Sequence, residues 1–307
     1  VTELDPNNAA SYHWKGNIYQ DLKQYDLALA DYSKAIELNP KGAGIYYMRG
    51  RTYQDLRQYD LALADFTKAI EIAPESLFYY TQRGQVYRML KQYDLALADY
   101  TKIIELSPKA DGSYSMRGRT YRDLGQYDLA LADFAKAIEL KPKDSTNYYW
   151  RGLTYLDLKQ YDLALTDYTK AIELDPKVSG SYYIRGLTYQ NLKQYDLALA
   201  DFAKAIELDP KDSNNYSCRG KAYQELKQYD LALADFTRAI ELNPNESENY
   251  HLRGNTYRDL KQHDSALADY TKTIELNPNE SINYYWRGEV YQELKQYDLA
   301  LIDFTKV

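Results

Sequence analysis

The sequence has almost no cysteine, little histidine and no long apolar run. Its 307 residues include one cysteine, Cys218, and three histidines. A lone cysteine cannot form an internal disulfide, and so few thiol and imidazole groups leave little for metal chemistry. No apolar stretch approaches the roughly 18 residues that a membrane helix needs, so we expect no membrane-spanning segment and no membrane partner. These absences exclude a disulfide-stapled fold and a multi-cysteine zinc site.

An excess of basic charge and any catalytic motif are missing as well. The formal net charge is −7, from 45 acidic and 38 basic side chains, whereas a nucleic-acid backbone is bound by a basic face. We therefore expect no nucleic-acid partner. The sequence has no glycine-rich phosphate loop, and no serine, histidine and carboxylate set that could converge as a triad. We predict a protein that is not an enzyme, with no catalytic residues, no metal site and no cofactor.

What the sequence does contain is a strict period of 34 residues. All nine prolines keep this spacing without exception, from Pro6 to Pro278. Nine of the fourteen glycines keep it too, from Gly16 to Gly288. Such self-similarity predicts one array of stacked units in place of the two domains that the length alone would suggest.

We number each repeat from the residue equivalent to Ala9, so that Pro40 is at position 32. A single repeat-array domain is predicted over residues 1–307. Its complete repeats span residues 9–42, 43–76, 77–110, 111–144, 145–178, 179–212, 213–246 and 247–280. Residues 1–8 are predicted to be the tail of a preceding repeat, and residues 281–307 a truncated ninth repeat.

Each repeat has the pattern of two helices. The second carries apolar residues at spacings of three and four over residues 25–36, which is typical of an amphipathic helix. We expect Asp26 to cap its N-terminus, and Pro40 to end it because the residue before a proline avoids helical geometry. Gly16 of the first helix and Ala28 of the second are small enough for close approach of two backbones. Together they predict an antiparallel helical hairpin.

These positions resemble the tetratricopeptide repeat, whose signature over 34 residues is an aromatic, a Leu-Gly pair, Tyr, Ala, an aromatic, Ala and Pro. The matching residues of the first repeat are Tyr12, Gly16, Tyr19, Ala28, Tyr32, Ala35 and Pro40. One departure is the residue before the glycine, Lys15 in the first repeat and arginine in the others; we expect its charged head in water. The resemblance covers nearly the whole chain. It implies an all-α fold, a right-handed α-solenoid superhelix of antiparallel helix-turn-helix repeats.

Most tyrosines and charges recur at fixed positions of the repeat. The tyrosines equivalent to Tyr12, Tyr19, Tyr25 and Tyr32 are expected in the core between stacked hairpins. The series that begins with Asp31, Lys34 and Glu37 lies off the apolar stripe, so we expect a solvated outer face with short-range ion pairs.

The informative positions are those that differ among repeats. The second helix barely changes, whereas the first changes at positions 2, 5, 6 and 9, and less so at 12. Positions 2, 5, 9 and 12 share one helical face, which in the tetratricopeptide family lines the concave groove where extended peptides bind. The resemblance therefore implies a peptide-binding groove. Its candidate residues are Tyr47, Arg51, Phe78, Arg88, Arg119, Arg122, Tyr149, Trp150, Leu153, Leu156, Tyr183 and Leu187.

Within this set, repeats 2 to 4 carry arginine and repeats 5 and 6 carry apolar side chains. Arg51 and Arg119 each have an aspartate four residues on for local pairing, whereas Arg88 has none. We predict an anion-recognising zone, an apolar contact zone and a ligand that is acidic and apolar, with Phe78 as the main anchor. A third zone comprises the His/Asn pairs of repeats 1 and 8, which are His13 with Asn17 and His251 with Asn255.

The predicted function is a non-catalytic protein–protein interaction scaffold that binds an extended peptide or protein segment. Two alternatives stay open. One is a structural array that self-associates head to tail, because each end would expose what the other would bury. The other is the regulatory arm of a larger enzyme, since Val1 falls within a helix of the repeat and a further segment could precede it. The compartment is not readable from the sequence, and the low cysteine content is most compatible with the cytoplasm.

Overall fold

The computed structural model describes residues 8–307, and every regular element in that part of the chain is an α-helix. The helices are α1 (Ala9–Asp21), α2 (Tyr25–Leu38), α3 (Ala43–Asp55), α4 (Tyr59–Ile72), α5 (Leu77–Met89), α6 (Tyr93–Leu106), α7 (Asp111–Asp123), α8 (Tyr127–Leu140), α9 (Ser145–Asp157), α10 (Tyr161–Leu174), α11 (Ser179–Asn191), α12 (Tyr195–Leu208), α13 (Ser213–Glu225), α14 (Tyr229–Leu242), α15 (Ser247–Asp259), α16 (His263–Leu276), α17 (Ser281–Glu293) and α18 (Tyr297–Phe304). The predicted all-α fold is confirmed. Each first helix begins at position 1 of its repeat. The predicted N-terminal tail lies, apart from Asn8, outside the described residues.

The helices form two compact units, Val1–Lys143 and Asp144–Val307, which we call unit 1 and unit 2. In each unit, the two helices of a repeat make the most extensive contacts, and the second helix also packs on the first helix of the next repeat. This is the stacking of helical hairpins that the period predicts. Within the described chain, no helix combines the length and the apolar character that crossing a membrane requires.

A residue in the left-handed conformation ends the first helix of each repeat. At position 15, φ lies between 57° and 59° in eight lysine or arginine residues and is 71° at Gly125. In repeat 1, the Lys23 N–H donates to the Gln20 carbonyl at 2.9 Å and the Gln24 N–H to the Tyr19 carbonyl at 2.8 Å. This pair of bonds is a Schellman motif, which satisfies the last carbonyl groups of the helix. The chain then reverses into the second helix.

The ends of the second helix follow the prediction only in part. Helix α2 begins at Tyr25, and the capping position belongs to Gln24, whose side chain makes no capping bond. Asp26 is therefore not the cap; it lies in the first turn, where its charge favours the positive end of the helix dipole. The role of Pro40 is confirmed, because α2 ends at Leu38 and the residue before the proline leaves helical geometry.

The core of each hairpin is an aromatic ring between small residues. In repeat 1, Ala28, Tyr32 and Ala35 are fully buried. A Cβ atom added to Gly16 would come within 2.6 Å of the Tyr32 ring. In repeat 1 the glycine at position 8 thus makes room for the aromatic ring at position 24, whereas the sequence suggested the backbone of the second helix.

The arginine before that glycine is also part of the packing, which corrects the expectation that its head lies in water. Arg49 donates from Nε and Nη2 to the two carboxylate oxygens of Asp65, each at 2.8 Å. Its guanidinium carbon lies 5.8 Å from the Tyr46 ring centroid and 6.0 Å from that of Tyr53. A planar guanidinium can pair with a carboxylate and contact aromatic rings together, which a lysine cannot do as well.

The aspartate at position 23 is consequently buried in every described repeat. The Asp31 series therefore does not belong to the expected outer face. In repeat 1, Asp31 forms an ion pair with Lys15 of the first helix at 3.3 Å. The rest of the expectation is correct: Lys34 and Glu37 form an exposed ion pair at 2.8 Å. Exposed pairs of this kind contribute little to stability.

The same arginine connects neighbouring repeats. Arg49 Nη1 donates to Ser33 Oγ, the position-25 hydroxyl of the preceding repeat, at 3.1 Å. Equivalent bonds join Arg83 to Thr67, Arg117 to Thr101, Arg185 to Thr169, Arg253 to Thr237 and Arg287 to Thr271. In repeat 6, position 25 is Ala203, so Arg219 meets no hydroxyl there. Most junctions between repeats therefore carry a polar bond besides their apolar contacts.

Candidate functional site

The candidate residues divide evenly between the two units, and all lie on the first helices of their repeats. The basic surface of unit 1 comprises Tyr47, Arg51, Phe78, Arg88, Arg119 and Arg122. The apolar surface of unit 2 comprises Tyr149, Trp150, Leu153, Leu156, Tyr183 and Leu187. We describe each surface separately.

Three aromatic rings and one arginine meet on the basic surface. The Phe78 ring lies edge-on to the Tyr47 ring, with 4.7 Å between centroids, and the Tyr79 ring is 5.8 Å from Tyr47. The Arg51 guanidinium lies 5.9 Å from the centroid of the Tyr47 ring. Phe78, the predicted anchor, is 49% exposed. Its ring therefore packs on one side against the chain itself and leaves the other side exposed.

The other arginines of unit 1 lie on the next two first helices. Arg88 pairs with Asp123 of the following repeat, with 2.7 Å between Nη2 and Oδ2. Arg88 has no aspartate four residues on in its own helix, and its partner comes from the next repeat instead. Burial and the charge of Arg88 lower the pKa of Arg119, and Arg122 adds to this shift. Burial raises the pKa of the neighbouring Tyr100 to about 12, although the charges of Arg88 and Arg119 lower it. The charges of Arg88 and Arg122 thus act on Arg119 at this surface.

The apolar surface of unit 2 contains an open cleft. The Tyr149 and Trp150 rings lie edge-on, with 5.6 Å between centroids. Beside them is a cleft of ≈ 320 Å³ whose other walls include Val178 at the end of the same repeat and Gly180 and Ser181 of the next repeat. The sequence analysis missed these three residues. The sequence did contain an indication of the cleft. Gly180, at position 2, has no side chain that could cover Tyr149 of the preceding repeat.

Tyr183 and Leu187 are less available than predicted. Both pack on the buried cluster that contains Phe202, and the Tyr183 ring is 6.2 Å from the Phe202 ring. The Tyr183 hydroxyl lies 3.6 Å from Cys218 Sγ. Burial raises the pKa of the Tyr183 hydroxyl and of the Cys218 thiol, so both groups stay neutral at pH 7. Leu153 and Leu156 lie further along α9 and are half-buried.

The asparagines of the third predicted zone have structural partners. The Tyr32 hydroxyl donates to Asn17 Oδ1 at 2.8 Å, and the Tyr270 hydroxyl to Asn255 Oδ1 at 2.7 Å. Both tyrosines are fully buried, so each hydroxyl needs an acceptor within the protein. These asparagines therefore serve the packing of their own hairpins. Among residues 8–307, no group of three or more His, Cys, Asp or Glu side chains is arranged to hold a metal ion.

Comparison with known families finds the same repeat. A family model described as tetratricopeptide repeat matches residues 9–41, 43–76, 78–110, 147–178, 180–212, 215–246 and 248–280. Two further models, described as TPR repeat and tetratricopeptide repeat, match residues 118–159 and 269–302. A search of curated proteins gives no significant match.

Several solved structures are similar. One is YrrB, described as a TPR protein with an unusual peptide-binding site, which is 28% identical, covers 61% of this chain and 96% of its own, and has a TM-score of 0.50. A tetratricopeptide repeat protein from Parabacteroides merdae is 21% identical, with coverages of 81% and 98% and a TM-score of 0.64. The pilF product of Pseudomonas aeruginosa is 18% identical, with coverages of 64% and 89% and a TM-score of 0.56. The last two share the fold with this chain.

Proposed function

The chain belongs to the tetratricopeptide repeat family, and we propose that it is a non-catalytic scaffold that binds an extended protein segment on its first helices. The second helices are nearly uniform, so selectivity for a ligand depends on the first helices, where the repeats differ. YrrB, at 28% identity, is described as having a peptide-binding site. That description supports a peptide as the class of ligand.

The observation that carries the proposal is the basic surface of unit 1 in a chain with a net charge of −7. Arg51 stacks on Tyr47 beside the half-exposed ring of Phe78. Arginine and aromatic side chains are the usual anchors of protein interfaces. Guanidinium groups bind carboxylates through paired, charge-assisted hydrogen bonds. The basic surface therefore suits a segment with aspartate or glutamate residues next to an apolar side chain.

The apolar surface of unit 2 suits the apolar part of such a ligand. Tyr149, Leu153 and Leu156 follow one face of α9 and are all half-buried. An apolar face of this kind gains stability only when a partner removes it from water. We therefore assign acidic contacts to unit 1 and apolar contacts to unit 2.

Selection from a random library of 12-residue peptides on the purified chain tests this assignment. We expect selected peptides to be enriched in Asp, Glu and large apolar residues. Arg88→Glu and Leu153→Asp should each weaken their binding at least about tenfold, or roughly 1.4 kcal/mol. Matched controls lie on exposed second-helix positions: Arg238→Glu reverses a charge and Leu163→Asp replaces an exposed leucine.

Three results would contradict the proposal. Selected peptides could be basic, or both first-helix variants could bind them as tightly as the two controls do. Sedimentation of the chain alone could also show concentration-dependent association that the first-helix variants abolish. In that case the partner would be a second copy of the chain, as the structural alternative expects.

A further inference from the structure

The repeat allows direct comparison of two equivalent junctions, one in each unit. Tyr47 and Tyr149 both stand at position 5, three repeats apart, and Phe78 and Gly180 both stand at position 2 of the repeat that follows. In unit 1, the Phe78 ring lies edge-on to Tyr47 at 4.7 Å, and the Tyr79 ring lies 5.8 Å from it. Ring distances of 4.5 to 7 Å with an edge contact are favourable. The space next to this tyrosine therefore holds aromatic side chains of the chain itself.

In unit 2 the same space is open. Gly180 and Ser181 replace the two aromatic residues, and the cleft of ≈ 320 Å³ lies beside Tyr149. A Cβ atom added to Gly180 would meet no atom within 4 Å. The tyrosine is retained, while the rings that contact its counterpart in unit 1 are missing.

Two large apolar side chains, Trp150 and Val178, line the walls of this cleft. Trp150 stands where the unit 1 junction has a methionine. Val178 stands at position 34, where the later repeats of this unit carry Asp212, Glu246 and Glu280. Val178 is 42% exposed and lines the opening. An acidic rim is thus replaced by a branched apolar side chain at this one junction.

We infer that the cleft between repeats 5 and 6 is a pocket for one aromatic side chain of the bound segment, seated edge-on to Tyr149 as Phe78 is seated on Tyr47. The inference rests on the proposed function and adds the side-chain class that unit 2 selects. Gly180 is the specificity-determining residue, because any side chain at position 2 narrows the pocket. An aromatic side chain is the expected occupant, because the chain places the Phe78 ring at the equivalent junction of unit 1.

The combination is specific to this junction in the sequence. Gly44 and Gly112 are also position-2 glycines with no atom within 4 Å of an added Cβ. The position-5 residues before them are His13 and Thr81, and neither is a tyrosine. Gly112 therefore offers a matched control for changes at Gly180.

The test titrates N-acetyl-4-fluorophenylalaninamide into the full chain and follows binding by fluorine NMR. Wild-type protein should bind this probe with a Kd of roughly millimolar strength, as expected for a small fragment. Gly180→Phe should abolish binding by placing a ring where Phe78 lies in unit 1. Gly112→Phe should leave binding unchanged, with helical content checked by circular dichroism in both variants.

Val178→Glu is a second variant that keeps the fold, because it installs at an exposed position the residue type of later repeats. It should weaken probe binding at least about fivefold. Unchanged binding in both Gly180→Phe and Val178→Glu would overturn the inference, and so would tighter binding of N-acetylleucinamide than of the aromatic probe. If selected peptides lose affinity in Leu153→Asp but not in Gly180→Phe, the pocket is wrong and the proposed function stands. If the aromatic probe binds at Gly180 but no peptide is selected, the pocket stands and the proposed function fails.

Discussion

At the residue scale, the side chain at position 9 can supply the hydrogen-bond acceptor that a buried tyrosine at position 24 needs. Position 24 is tyrosine in repeats 1, 3, 5 and 8, and in repeats 1 and 8 its buried hydroxyl donates to an asparagine at position 9. In repeat 6 the same two positions hold Phe202 and Leu187, which pack without a polar group. A buried hydroxyl without an acceptor loses its hydrogen bonds to water with no replacement. In repeats 1 and 8 the asparagine at position 9 therefore supplies the acceptor that the buried hydroxyl needs.

This dependence predicts a rescue. Asn255→Leu should destabilise the chain by about 1–3 kcal/mol, because it leaves the Tyr270 hydroxyl buried without an acceptor. Adding Tyr270→Phe should recover most of the loss, since it reproduces the apolar pair of repeat 6. Urea unfolding followed by circular dichroism measures both variants. A double variant no more stable than Asn255→Leu alone would contradict the prediction.

Residues such as these show what the sequence could and could not predict at the site. The variable face of the first helix was predicted, because periodicity alone determines which positions share a face. The role of Asn17 was not, because its partner lies on the second helix of the same hairpin. The Arg88–Asp123 pair was missed for a similar reason, since it joins adjacent repeats at positions that differ by one. Contacts between helices depend on the packing register, which the period does not specify.

At the scale of the element, each first helix ends in a left-handed residue that most repeats build from a lysine. A residue with a Cβ pays roughly 1–2 kcal/mol in this conformation, and glycine does not. The space is open, because a Cβ added to Gly125 would meet no atom within 4 Å. The left-handed lysines therefore lower the stability of the backbone slightly, and the fold tolerates this loss.

Exchange of residues at this turn tests that reading of the backbone. Gly125→Lys should lower the free energy of unfolding by about 1 kcal/mol, since it adds strain without a clash. Lys159→Gly should raise it by a smaller amount, because glycine also gains entropy in the unfolded chain. Thermal unfolding of the two variants gives the comparison. Opposite signs are expected, and a loss of stability in Lys159→Gly larger than that in Gly125→Lys would refute the argument.

The arginine at position 7 gives a second prediction for the element. Ala203→Thr should add a hydrogen bond to Arg219 Nη1 and stabilise the junction between repeats 6 and 7 by about 0.5–1.5 kcal/mol, less the lower helix propensity of threonine. Thr237→Ala should remove the equivalent bond to Arg253. Ala200→Thr, at an exposed position of the same helix, is the control for propensity alone. Equal stability changes in Ala203→Thr and Ala200→Thr, measured by urea unfolding, would show that no bond forms.

At the scale of the whole molecule, the period of 34 residues was the sequence feature that predicted most of the fold. It placed the start of each first helix correctly, because proline, glycine and the apolar stripes recur at fixed positions. The period did not predict the bidentate arginine–aspartate pairs. A single sequence does not show that a charged residue next to a glycine is buried. That the nine repeats form a single domain stays a prediction.

The last prediction concerns how far damage spreads within unit 2. A Cβ added to Gly220 would come within 2.7 Å of the Phe236 ring, so Gly220→Val should force α13 and α14 apart and cost roughly 1–3 kcal/mol by overpacking. Because each repeat packs mainly on its neighbours, faster amide hydrogen exchange should be concentrated in α13 and α14, with smaller changes in α12 and α15. Helices α10 and α17 should keep their protection. Gly112→Val, at an open position of a first helix, should change exchange only locally. Uniform loss of protection across unit 2 in Gly220→Val would mean that its repeats unfold as one cooperative body, against a nearest-neighbour description.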